Sequence, residues 1–308
     1  MSTINGAFPV LPTIFTEGGA IDEAGVRAVA DWAIGCGVDG VVFPGLASEY
    51  DHLTLDERLQ LIALIGERAA GRAAFVCGAG GKTDAESEAV MAAAAQAGAR
   101  AVMVVTPARY ADDVEGLAGF YRRLAAVADV PIMLQNAPSP MGLGLSPESV
   151  LDVVRAAPGI RYVKEETMPC GQRITVLREQ GAGLLDGVFG GAGGRYITDE
   201  LARGAIGTMP AVEIADLHVQ LVAANRAGEW GRVRWLFERT LPLLTMQAIF
   251  RWRLTKEVLR RRGLIESAYV RAPGPALDRH DQRELGELLD GLADLLTPVD
   301  GTAQRRAG

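Results

Sequence analysis

Ile160-Arg161-Tyr162-Val163-Lys164 is a short, mostly apolar run that ends on a lysine, and the repetition of such runs decides the fold. Seven others lie at residues 7–15, 40–43, 73–77, 101–105, 131–135, 183–186 and 205–208, each followed by a helix-length amphipathic pattern. Runs without polar alternation suit parallel strands buried on both faces. Eight strand-then-helix units predict an α/β fold of the (β/α)8 TIM-barrel type, with an open doubly wound sheet as the alternative that periodicity alone leaves standing. Helix starts agree: Thr54 with Glu57 and Thr83 with Glu86 have capping-box spacing, and Ser146-Pro147 sets a cap before a first-turn proline. Beyond about residue 225 the pattern is helical only, over 229–247, 248–262 and 280–296. The expected organisation is a catalytic barrel over 1–226, a C-terminal helical extension over 227–300, and a polar tail, 301–308, expected to be disordered. Trp230, Trp235 and Trp252 read as packing residues of the extension, within the subunit or against a neighbour.

Bulk properties narrow the function. The chain has 308 residues, 49% of them hydrophobic, and a formal net charge of -7, so no basic field points to nucleic acid. No run of about 18 apolar residues predicts a membrane span, and Met1 to Gly6 lack the pattern of a secretory signal. Cys36, Cys77 and Cys170 are odd in number and widely spaced, which suits reduced thiols and a cytoplasmic protein.

Lysine is the informative residue type, because only Lys82, Lys164 and Lys256 occur among 31 basic residues. Lys82 and Lys256 read as solvated helix residues. Lys164 ends a strand at the carboxyl end of the barrel, where active sites form. Partial desolvation there favours the neutral amine and attack on a carbonyl, whereas the structural reading pairs it with Glu165 or Glu166. The loop Pro44-Gly45-Leu46-Ala47-Ser48-Glu49-Tyr50 has small residues that let backbone N–H groups approach an anion. A second cluster, Gly190-Gly191-Ala192-Gly193-Gly194-Arg195, precedes a helix and lacks the dinucleotide fingerprint. The expected substrate-binding set is Gly45, Ala47, Ser48, Glu49, Gly190, Gly191 and Gly207. His52, His218 and His280 show no metal-ligand spacing, so neither metal nor cofactor is expected.

These residues resemble the dihydrodipicolinate synthase and N-acetylneuraminate lyase family, class I Schiff-base aldolases on a (β/α)8 barrel. The resemblance spans about residues 8 to 264. It rests on Phe8-Pro9-Val10-Leu11-Pro12-Thr13, Gly45 to Glu49, Leu53-Thr54-Leu55-Asp56-Glu57-Arg58, Thr106-Pro107, Pro131 to Pro138 and Val163-Lys164-Glu165-Glu166-Thr167. It implies an imine between Lys164 and a 2-keto acid, and a homotetramer. Several positions depart from the pattern. Leu46 and Ala47 stand where hydroxyls are usual, Gln135 replaces the proton-relaying tyrosine, and Pro140 falls where the synthase has a carboxylate-binding arginine. The tyrosine pair becomes Ala108-Arg109, with Tyr110 one place later. A carboxamide exchanges no proton near neutral pH, so the synthase and sialic-acid lyase reactions are disfavoured.

Gln135 with Ser48-Glu49 is most similar to L-2-keto-3-deoxyarabonate dehydratase, although the 190–195 cluster differs from that branch. The resemblance implies dehydration of a 2-keto-3-deoxy sugar acid, with Lys164, Gln135 and Thr167 as catalytic residues. The proton carrier stays open, as a water or the substrate's own carboxylate. The alternatives are a retro-aldolase releasing pyruvate, an imine-forming deaminase, and a catalytically silent keto-acid-binding paralogue.

Overall fold

The computed structural model describes residues 3–299. Eight parallel strands, β1 to β8, lie at Gly6–Ala7, Gly40–Val42, Ala74–Gly78, Ala101–Val105, Ile132–Asn136, Ile160–Glu165, Gly187–Gly190 and Gly207–Thr208. They pair in the order β1-β8-β7-β6-β5-β4-β3-β2. A parallel bridge between Val10 and Val42 joins the two ends, where the Leu11 N–H donates to the Val42 carbonyl (2.9 Å) and the Val42 N–H to that of Pro9 (3.0 Å). The sheet is a (β/α)8 barrel rather than an open sheet.

Helices α1 to α8, at Glu23–Gly35, Leu55–Ala69, Asp84–Gln96, Val114–Val127, Pro147–Ala156, Cys170–Gln180, Ile197–Ala202 and Ala215–Arg226, return the chain outside the strands. Thr54 and Glu57 form the expected reciprocal capping box at α2. Thr83 caps α3 by accepting the Glu86 N–H, but the Glu86 carboxylate turns to Arg58 and the Lys82 N–H instead of reciprocating. Ser146 caps α5 ahead of Pro147.

Strand alternation sorts the core into two shells. Phe8, Val42, Val76, Met103, Met133, Tyr162 and Phe189 fill the barrel interior, with Phe8 and Phe189 edge to face at 5.6 Å. Val41, Phe75, Val104, Leu134 and Val163 face the helices.

Several boundaries differ from the sequence expectation, two of them in strands for a clear local reason. The seventh strand begins at Gly187, not within 183–186, because Gly183 adopts φ +81 and residues 182–185 turn. The first strand is short within its 7–15 run, since Pro9 and Pro12 offer no ladder N–H.

Helices α9 to α11, at Trp230–Phe250, Trp252–Arg261 and Arg279–Asp290, pack on one another through Leu243, Leu254, Val258 and Leu285. The first break falls at Arg251 (φ +49) rather than after residue 247. Trp230 and Trp235 are exposed, whereas the Trp252 indole donates to the Leu46 carbonyl at 2.8 Å, so α10 leans over the barrel mouth. No helix among the described residues is long and apolar enough to cross a membrane. The expectation for the tail, 301–308, lies outside the described residues, as does residue 300.

Candidate active site

The end of β6 sets the site. Tyr162 points into the barrel core, and the two-residue period carries Lys164 and Glu166 onto the same inner face, with Val163 and Glu165 outside. The Lys164 side chain is 4% exposed, and its Nζ lies 3.2 Å from Glu166 Oε1. Glu166 is held from two further directions. The Gln135 side-chain amide donates to Oε2 at 2.6 Å, and the Ala192 N–H donates to Oε1 at 3.3 Å. Burial pushes the Glu166 carboxyl up. The Lys164 ammonium and these hydrogen bonds outweigh it and hold the group below the ordinary glutamate value.

Outside the strand, Glu165 accepts from the Asn136 side chain (2.9 Å) and the Thr167 N–H (2.8 Å), with Arg173 at 3.3 Å. These contacts lock β6 to β5. Burial nonetheless pushes Glu165 above its usual value.

Lys164 and Glu166 open into a cavity of about 390 Å³ at the carboxyl end of the barrel, capped by α9 and α10. A larger hollow of about 550 Å³ lies at the opposite end, among Ile4, Asp39, Ala73 and Arg100. It holds none of the lysines, and barrel chemistry sits at the carboxyl end.

The structure brings only part of the expected set to this cavity. Ala47 and Glu49 line it, and Gln135 and Gly45 line a small annex beside it. Gly191 packs against Glu166, since a Cβ there would lie 2.4 Å from Glu166 Cγ. Ser48 is buried and structural: its hydroxyl donates to the Leu11 carbonyl (2.5 Å) and accepts the Gly45 N–H (2.9 Å). Thr167 donates its hydroxyl to the Asn136 carbonyl at 3.1 Å and is not part of the lining. Gly190 faces Glu200 on the helix side. Gly207 packs deep in the barrel against Phe189 and Gly6, while Met209 and Ala211, further along the same face, reach the cavity.

Lys256 reverses its expectation most clearly. It is fully buried rather than solvated, with Nζ 2.5 Å from Glu49 Oε1 and 2.8 Å from the Tyr269 carbonyl. Burial pulls its amine down to about 8 against the opposing pull of Glu49. Glu49 is thereby committed to an ion pair, and its other oxygen accepts the Ala272 N–H at 2.8 Å. Tyr110 turns away to Asp84 (2.6 Å) and Arg123 (3.0 Å).

A family model for the dihydrodipicolinate synthetase family matches residues 3–292. The chain belongs to that family. The 4-hydroxy-tetrahydrodipicolinate synthase of Acidobacterium capsulatum is 31% identical over 308 residues, covering 96% of this chain and 98% of that protein. The enzyme of the same name from Maridesulfovibrio salexigens is 31% identical over 245 residues, or 78% of this chain and 82% of that protein. The crystal structure of dihydrodipicolinate synthase from Rhodopseudomonas palustris matches with a TM-score of 0.86 at 27% identity, over 94% of this chain and 97% of that one. The chain is therefore an enzyme of a lyase and synthase family.

For a dihydrodipicolinate synthetase family member, the cavity wall holds residues that sequence reasoning passed over. Glu166 was legible as a partner of Lys164, and the strand period alone places both on one face. Tyr50 borders both the main cavity and the annex with Gln135, and burial, with Asp51 beside it, pushes its hydroxyl up to about 12. Arg195 was visible in the glycine cluster, but its place on the cavity wall was not.

Proposed function

We propose that this chain is a Schiff-base lyase in which Lys164 condenses with a 2-keto acid and Glu166 carries the protons. The observation behind this reading is the 3.2 Å contact between Lys164 and a carboxylate clamped by Gln135 and the Ala192 N–H at the floor of the cavity. Glu166 accepts a proton from the ammonium, freeing the lone pair to attack the C2 carbonyl. Glu166 returns that proton to the carbinolamine hydroxyl, which leaves as water and gives the iminium, an electron sink, with the carboxylate restored. Glu166 then removes a C3 proton to form the enamine. In a 2-keto-3-deoxy sugar acid the enamine expels the C4 hydroxyl, which takes the proton from Glu166 and leaves as water. In a pentonate the conjugated iminium then loses a C5 proton and gains one at C3, which turns the C5 carbinol into an enol and so an aldehyde. Hydrolysis of the imine restores Lys164, and the net change is the loss of one water.

Dehydration is preferred over aldol cleavage for a geometric reason. C3 is two bonds from the imine nitrogen, so a base held beside Nζ can take the C3 proton that dehydration requires and cleavage does not. Aldol cleavage to pyruvate and an aldehyde is the second reading, favoured by the same iminium. Leu46, Ala47 and Pro140 supply neither the hydroxyls nor the guanidinium that the synthase resemblance implies. Product analysis decides. A 2-keto-3-deoxy pentonate should yield a keto-acid semialdehyde by mass spectrometry. Pyruvate plus an aldehyde would replace dehydratase by aldolase, and no product from a panel of sugar acids would leave a binding protein.

A further inference from the structure

The same cavity carries two guanidinium groups on the wall made by the β7–α7 loop and the extension. Arg195 is half-buried, and its polar contact is a long hydrogen bond, 3.4 Å, to the Gln247 side-chain oxygen. Arg251 is exposed at the mouth, with its guanidinium 5.4 Å from the Trp252 ring centroid and 3.6 Å from the Met141 sulfur. Neither forms an ion pair with Glu49, Asp51 or Glu166, the carboxylates that border the cavity: Glu49 is paired to Lys256, and Glu166 to Lys164. Elsewhere among the described residues arginines are routinely neutralised, as in Arg58 with Glu86, Arg262 with Asp216 and Arg271 with Glu57.

Local structure preserves this arrangement at some cost. Arg251 sits at φ +49, ψ −120, a region an L side chain seldom adopts. At Gly193 a Cβ would stand 2.8 Å from Arg195 Nη1, so the glycine leaves the guanidinium its room. Two cations stand in one another's field on this wall, and neither forms a close ion pair with a carboxylate of the cavity.

We infer that Arg195, with Gln247 and Arg251, receives a second carboxylate at the far end of the substrate, so that the enzyme acts on 2-keto dicarboxylic acids. The inference rests on the reading of Lys164 as the imine-forming residue. A substrate's C1 carboxylate is bonded to the imine carbon and stays within about two atoms of Nζ. Glu166 lies 3.2 Å from that nitrogen and neither guanidinium comes within ion-pair distance of it; both line the same cavity from the β7–α7 loop and the extension, where the far end of a bound chain would meet them. A guanidinium fork matches a carboxylate in two parallel hydrogen bonds. A monoanion also suits a cavity that already holds Glu166 and Asp51 better than a phosphate dianion does.

The test compares borohydride trapping at Lys164 by 2-oxoadipate and by 2-oxohexanoate, which differ only in the terminal carboxylate. The wild type should trap the dicarboxylate at half-saturating concentrations at least about tenfold lower, the scale of one charge-assisted hydrogen bond. In Arg195→Gln that ratio should collapse towards one while 2-oxohexanoate is still trapped, and Arg195→Lys should keep part of it. Equal concentrations for the two acids, or a ratio that survives in Arg195→Gln/Arg251→Gln, would overturn the inference. So would protection by inorganic phosphate but not by glutarate. Failure of every 2-keto acid to trap would instead remove the imine reading beneath it.

Discussion

In the proposed mechanism Glu166 carries the proton transfers, and its neighbours define what substitutions should do. Glu166→Gln keeps the shape but cannot take a proton, so turnover should fall by about 10²–10⁴-fold and trapping of 2-keto acids should become slower, though it should still reach completion. Unchanged turnover in Glu166→Gln would remove the carboxylate from the proposed proton transfers. Gln135→Ala removes one donor from the carboxylate, worth about 1–3 kcal/mol or roughly 5- to 150-fold in rate. That donor favours the ionised form, so its loss raises the Glu166 pKa. A base must be unprotonated to act, and the acid limb of kcat should therefore move to higher pH. A lowered rate with an unmoved limb would make Gln135 a packing residue. Lys164 was legible because lysine is rare in this chain and the strand places it at the carboxyl end. The burial of Lys256 was not, because its partner Glu49 lies 207 residues away in sequence and no local period reports such a contact.

At the scale of elements, the loop after β2 is tied to the extension. Lys256 on α10 reaches Glu49, which adopts φ +57, and Trp252 holds the Leu46 carbonyl. Breaking a buried ion pair leaves a desolvated charge and typically costs 3–5 kcal/mol. Glu49→Gln should therefore lower the denaturation midpoint markedly, and Glu49→Leu/Lys256→Met should recover much of the loss. A single substitution costing less than about 1 kcal/mol by chemical denaturation would show that other contacts dock α10. Ser48 and Glu49 looked like ligand contacts because small and acidic residues at a strand end serve both purposes. Their partners, Leu11 and Lys256, come from other parts of the fold. The seventh strand was misplaced for a related reason: Leu184 and Leu185 are apolar but pack from a turn against the outer shell.

For the whole molecule, buried ionisable groups set the dependence of stability on pH. Burial pushes Glu200 and Glu213 up to about 7, and the two Glu213 oxygens make no hydrogen bond of normal geometry among the described residues. Each keeps in the folded chain a proton that the unfolded chain releases near its ordinary value of 4.5. Their stabilisation is complete below that pH and is lost as pH rises towards 7, on the order of 3 kcal/mol each. His218 acts oppositely. Burial lowers it from 6.5 to about 4, so its contribution is lost as pH falls through that window. Two groups outweigh one, and Tm should fall between pH 5 and 7. Glu213→Gln should raise Tm more at pH 7 than at pH 5, and an equal change at both would contradict the assignment. We also propose the homotetramer that the resemblance implies, for which light scattering at micromolar concentration should give four times the chain mass. The central claim is that Lys164 alone forms the imine, although Lys256 is more deeply buried. Borohydride reduction with pyruvate, followed by peptide mapping, tests it most directly. The reduced adduct should sit on Lys164 only and be absent from Lys164→Arg, whose guanidinium stays protonated. An adduct on Lys256 or Lys82, or none on Lys164, would contradict the account.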